Sequence, residues 1–138
     1  MYAEIAKSYY RALDEGAYEQ VASLFALDAR YVRPEKVGAI ERGAPKAREL
    51  RESVGRDAIR DFAANAARVA LERNTDVRHR IGAVDQLGHR VFVEGTVPSP
   101  DGGPDVLFFA HFDFDPDTGL ITRYAAVANE TSRDPSRG

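Results

Sequence analysis

The second half of the chain is written with a period of two. The segments "TDVRHRIGAV", "RVFVEGTV", "DVLFFAHFDF" and "LITRYAAVAN" read as strands, separated by "DQLGH", "PSPDGGP" and "DPDTG". Those connectors consist of residues that supply the special backbone angles of turns. A strand sends successive side chains to opposite faces, so each segment has two unlike faces. One-sided patterning over consecutive strands predicts an antiparallel sheet with helices packed on one face. The third strand poses the functional question. One of its faces carries Phe108, Ala110, Phe112 and Phe114; the other carries Leu107, Phe109, His111 and Asp113. Only one set can face the interior, and one extra residue in a bulge would exchange them.

The first half reads mainly as helix. Residues 2–14 place Ile5, Ala6, Tyr9, Tyr10, Ala12 and Leu13 near one stripe, with Gly16 as a stop. A short second helix follows on Val21, Leu24 and Phe25, and "ARYVRP" is a strand closed by Pro34. Residues 35–54 form a long polar connection in which "KARELRES" suits a helical turn or two; such a connection is a candidate lid. "GRDAIRDFAANAARVALER" is a long helix with Ile59, Phe62, Ala66, Val69 and Ala70 in register. The expected organisation is a single domain over 1–130 and a flexible tail over 131–138.

Composition narrows the partners. A chain of 138 residues suits one domain with a real core. No run of about 18 apolar residues occurs, so no membrane span is expected, and the start lacks the apolar core of a signal peptide. Cysteine is absent, which excludes disulfides and thiolate chemistry and fits a reducing cytoplasm. The net charge of −3 gives no footprint for nucleic acid. The three histidines fall on separate elements without ligand spacing, so neither a metal nor another cofactor is expected. "GHR" and "DGG" are turns without phosphate-loop context.

Three stretches, "YYRALDEGAYEQVASLFALDARYVRP", "GRDAIRDF" and "FDFDPDTGLITRY", resemble the nuclear transport factor 2-like superfamily, especially its ketosteroid isomerase-like and SnoaL-like polyketide cyclase branches. The resemblance spans essentially residues 2–130. It implies an α+β fold: a cone-shaped, curved antiparallel sheet with three helices enclosing a pocket. That fold hosts isomerases, cyclases, dehydratases, epoxide hydrolases and non-catalytic binders, so the reaction must be argued from the site. On the ketosteroid isomerase pattern the oxyanion-binding tyrosine falls on Tyr9. The carboxylate base falls on Arg33 and the protonated aspartate on Ala110. Arginine stays charged and cannot take a proton, so steroid isomerisation by that mechanism is rejected. The arginine-and-aspartate pattern of the epoxide hydrolase branch is also missing, because the middle strand reads "VEGTV".

The same alignment turns Phe108, Ala110 and Phe112 toward the cavity, with Phe25, Phe62, Tyr31 and Tyr124 as further substrate-binding residues. Three residues are the catalytic candidates. His79 lies on the inward side of "VRHRIGAV" with Val77, Ile81 and Ala83, where some dehydratase relatives place a catalytic histidine; an imidazole can give or take a proton near neutral pH. Tyr9 would donate to a developing enolate oxygen, and Arg33 would hold an oxyanion by a forked contact. Each also has a plain structural reading, as a hydrogen-bonded histidine, a core tyrosine and a wall ion pair. His111 and Asp113, roughly 7 Å apart along the strand, are expected on the outer face. Glu94 is expected to face outward and His89 to lie in a turn. Leu107 and Phe109 on the outer face imply a homodimer contact, as in relatives of this fold. The expected function is cofactor-independent acid/base catalysis (cyclisation, isomerisation or dehydration) on a hydrophobic oxygenated small molecule such as a polyketide or terpenoid intermediate. The alternative is a non-catalytic domain that binds a small molecule or a partner.

Overall fold

Alternation in the sequence becomes a six-stranded sheet. The computed structural model describes residues 1–36, 48–72, 78–98 and 105–130. Its elements are α1 (Tyr2–Asp14), α2 (Tyr18–Ser23), β1 (Phe25–Lys36), β2 (Arg48–Val54), α3 (Arg56–Glu72), β3 (Arg80–Leu87), β4 (Arg90–Val97), β5 (Val106–Phe114) and β6 (Ile121–Glu130). The strand order is β2-β1-β6-β5-β4-β3. Strands β3 to β6 form the expected antiparallel run, but β1 lies parallel to β6, so the sheet is mixed. Neighbouring parallel strands need a long crossover, and here everything from β2 to β5 supplies it. The sheet is curved and not closed into a barrel, with three helices completing an α+β fold.

Three local expectations are corrected. "KARELRES" does not supply a helical turn: Arg48–Val54 pairs with β1 as a strand, from Lys36↔Arg48 to Arg30↔Val54. Pairing with an extended neighbour overrides the weak helical propensity of this Lys/Arg/Glu-rich stretch. Strand β1 runs through Pro34, at a point where pairing with β6 has already ended at Val32↔Ala125. Proline is tolerated where a strand needs no N–H on that side. Phe25, read as part of the second helix, is instead the first residue of β1. The remainder of the long connection, 37–47, lies outside the described residues, as do Val77 and the 131–138 tail.

Helix α1 packs its stripe of Ala6, Tyr9, Tyr10 and Ala12 onto the sheet, and Gly16 ends it with a φ of 72°, a left-handed conformation that suits glycine. Inward residues follow the pleat: Val91 and Val93 on β4, then Phe108, Ala110, Phe112 and Phe114 on β5. The register between these two strands is unbroken from Arg90↔Asp113 to Val97↔Val106. The question set by "LFFAHFDF" therefore resolves with the phenylalanines inside. In β3 a shift between Ile81 and Ala83 inserts Gly82. Beyond it Val84 is the half-buried residue and Ala83 is exposed, contrary to plain alternation. A second shift in β6 lets both Ile121 and Tyr124 point inward although three positions apart. Gly95 on β4 permits close approach: a Cβ there would lie 2.5 Å from the Arg80 carbonyl oxygen and 2.6 Å from Cζ of Phe108.

Candidate functional site

Four tyrosines meet between α1 and the sheet. Tyr9 and Tyr10 come from the buried stripe of α1, Tyr31 from β1 and Tyr124 from β6; none is more than 5% exposed. Tyr31 and Tyr124 sit directly opposite each other in the β1–β6 register and stack with centroids 4.6 Å apart. The hydroxyls of Tyr9 and Tyr31 share a short hydrogen bond, and those of Tyr10 and Tyr124 lie 3.4 Å apart. Phe112 packs edge-on against Tyr9, and Phe25 packs against Tyr9 and Tyr31. Aromatic pairs of this kind contribute about 0.5–1.5 kcal/mol each beyond area burial.

Burial fixes the protonation state of these phenols. Removal from water raises the pKa of Tyr9, Tyr10 and Tyr31 well above the ordinary value and pushes Tyr124 up to about 12. The nearby Arg33 guanidinium opposes the rise at Tyr31 without cancelling it. All four are therefore neutral hydrogen-bond donors at physiological pH, able to stabilise negative charge that develops on a nearby oxygen.

His79 stands at one end of this aromatic row, immediately before β3. Its ring lies 5.1 Å from that of Tyr10 and edge-on to Phe108 at 5.5 Å. Asp14, the last residue of α1, holds it twice. One carboxylate oxygen is 2.5 Å from the ring Nδ1 and the other accepts the backbone N–H of His79 at 2.8 Å. A carboxylate accepts, so Nδ1 carries a proton, and in the neutral imidazole the lone pair is then on Nε2. This is a histidine with an orienting acid, the two carried by different parts of the chain. The sequence reading did not include Asp14. The available signal was spacing: Asp14 is four residues beyond Tyr10 and shares its helix face.

Arg33 stands at the other end. Its guanidinium carbon is 4.1 Å above the ring of Phe62 and 6.0 Å from that of Tyr31, and Nη1 donates to Ser53 Oγ at 3.0 Å. The structure thus joins Tyr9, Tyr31, Tyr124 and Arg33 in one neighbourhood, with His79 joined to them through Tyr10. Phe62 is partly buried beside the core, and Ala110 is buried among the phenylalanine positions of β5.

The His111–Asp113 pair lies on the outer face. Asp113 accepts twice from Arg90, at 2.5 and 3.0 Å. His111 Nε2 is 4.0 Å from Asp113, too far for a hydrogen bond, and is the single buried side-chain polar atom without a partner among the described residues. Desolvation, then Arg90, lowers the His111 pKa against the weaker pull of Asp113. Glu94 and His89 are exposed, as expected. Among the described residues no group of three or more His, Asp or Glu side chains is placed to hold a metal ion, and no helix is long and apolar enough to cross a membrane.

A curved sheet, three helices on its inner side and an aromatic interior reached by one histidine define a protein of the nuclear transport factor 2-like class. Within that class the chain belongs to the SnoaL-like domain family, whose model matches residues 6–124. Solved structures agree on the fold. A protein from Sphaerobacter thermophilus is 24% identical with a TM-score of 0.65, covering 92% of this chain and 94% of its own. A putative ketosteroid isomerase from Kribbella flavida is 18% identical with a TM-score of 0.65, covering 97% and 82%. The epoxide hydrolase/cyclase-like enzyme SalBIII, which has a role in pyran ring formation in the polyether salinomycin, is 20% identical with a TM-score of 0.63, covering 93% and 90%. A search of curated protein sequences found no match.

Proposed function

We propose that this protein is an acid/base enzyme that moves a proton on a hydrophobic, oxygenated small molecule, with cyclisation, isomerisation or dehydration as the outcome. The observation that carries this reading is the double hold of Asp14 on His79 beside a set of buried neutral phenols. In this reading Nε2 of His79 takes the proton from carbon, and the Tyr9–Tyr31 pair donates to the oxygen on which charge accumulates. The phenols are preorganised by packing, so little reorganisation is needed as that charge forms. The test is hydrogen–deuterium exchange at the α-carbon of a cyclic aromatic ketone, 2-tetralone, followed by NMR in D2O. The enzyme reading expects exchange well above the buffer rate. Binding of the ketone without any acceleration of exchange contradicts it.

One observation favours the second reading, a non-catalytic receptor. Arg33 and Ala110 stand where the isomerase pattern has carboxylates, and one of the two phenol protons of Tyr9 and Tyr31 is already spent on the hydrogen bond between them. The same exchange experiment separates the two.

Pairing of two copies through the outer sheet face accompanies either reading. Phe92, Phe109 and Val127 lie on the uncovered side at 42–51% exposure, and Phe109 pairs directly with Val127 in the register. An exposed aromatic and aliphatic group of this kind marks an interaction surface. Light scattering is expected to give twice the 15.2 kDa chain mass; a monomer at all concentrations tested would remove the interface.

A further inference from the structure

The inner side of the β1–β2 hairpin carries more positive charge than an apolar receptor needs. Arg33 points inward and is half-buried, with its guanidinium laid on the face of Phe62 and one nitrogen fixed by Ser53. Arg51 stands directly across the ladder from it. Like charges opposed across two strands are destabilising, and a half-buried cation is costly unless an anion answers it. Arg51 is exposed and has contacts of its own. Arg33 has no carboxylate partner among the described residues. The chain as a whole is acidic, with a net charge of −3, so this positive spot is local.

We propose that Arg33 is an anion-binding residue and that the substrate carries a carboxylate on an unsaturated or aromatic body. The planar guanidinium, already oriented by Phe62 and Ser53, offers its free edge to both oxygens of a carboxylate. The rings of Phe62 and Tyr31 both lie beside the guanidinium, so the group next to the carboxylate is a flat apolar one. The proposal rests on the reading of the interior as the active site and adds a direction to it. Tyr31 stacks on Tyr124, Tyr124 reaches Tyr10, and Tyr10 lies against His79. The carboxylate therefore binds at the far end of this row from the imidazole. The atom that loses its proton is remote from the carboxylate, and the oxygen that gains charge lies between them, near the phenols.

The probes are 2-naphthoate and its neutral counterpart 2-naphthamide, titrated by calorimetry into the full chain. The wild-type protein should bind the acid about 10- to 100-fold more tightly than the amide, the range of a charge-assisted hydrogen bond. Arg33→Gln should erase that preference, and Arg33→Lys, which keeps the charge but not the fork, should retain part of it. His79→Gln should leave the preference intact, so that failure of the anion site and failure of His79 as the proton-transfer group are read separately. Equal binding of acid and amide overturns the proposal, as does failure of 2-naphthoate to bind or survival of the preference in Arg33→Gln. Should Arg33→Gln not fold, the lysine variant decides: a preference equal to that of the wild type removes the forked contact.

Discussion

Raising the pH above 10 is expected to unfold this protein over a narrow range. Four of its six tyrosines form the buried cluster, and burial holds their pKa values above the ordinary phenol value. Below about pH 10 these phenols are protonated in both folded and unfolded chains, and they add no pH dependence. Above it the unfolded chain releases protons that the folded chain retains. The unfolded state then binds fewer protons, so stability falls as pH rises. The loss is about 1.4 kcal/mol per phenol per pH unit. Tyr124, pushed up to about 12, alone removes roughly 2 kcal/mol by that pH. Four phenols together give about 5 kcal/mol per unit, against a typical domain stability of about 5–15 kcal/mol. Ultraviolet absorbance of the four buried phenols should therefore rise together with the loss of circular dichroism, in one step. Tyr124→Phe should lessen the slope by about a quarter. Titration of all six tyrosines with the secondary structure intact would show that the cluster is open to water.

Asp14→Asn should lower proton transfer by about 10²- to 10⁴-fold while the chain stays folded. Asp14 receives two N–H groups from one residue, the ring and the backbone of His79. An asparagine has one oxygen to receive them, and its NH2 must face the other donor. If the oxygen stays on the backbone N–H, the amide donates to Nδ1 and puts the ring proton on Nε2, the tautomer that cannot act as base. In a catalytic triad the same exchange costs about 10⁴ in turnover through the wrong tautomer. Asp14→Ala should also lower stability by about 1.5–3 kcal/mol, the contribution of a charge-assisted hydrogen bond, read as a lower urea midpoint. Exchange of 2-tetralone at the wild-type rate by Asp14→Asn would show that His79 does not depend on this carboxylate.

Much of this arrangement was legible in the residues. Period-two patterning identified β4, β5 and β6 and set the phenylalanines of β5 on one face, because an unbroken register preserves parity from end to end; the resemblance, not the pattern, turned that face inward. The stripe on α1 gave Tyr9 and Tyr10 as buried. Resemblance rather than periodicity pointed to Tyr9 as a donor, and the structure places it against Tyr31. What escaped has physical causes. Strand β2 is written in helix-forming residues, and only its pairing with β1 makes it a strand. Ala83 was put inside because a one-residue insertion at Gly82 leaves no trace in an apolar pattern. Asp14 escapes because nothing in the residues around it marks a partner for its carboxylate. Its role depends on residue 79 arriving from 65 positions away, a contact no local pattern encodes.

The most direct test of the account is the rate of α-proton exchange in 2-tetralone with wild-type protein and with His79→Gln, at matched folded concentration. Glutamine keeps a polar side chain beside Tyr10 but has no nitrogen able to accept a proton, so the account predicts a fall of about 100-fold or more. An unchanged rate in His79→Gln, with wild-type circular dichroism, would contradict it.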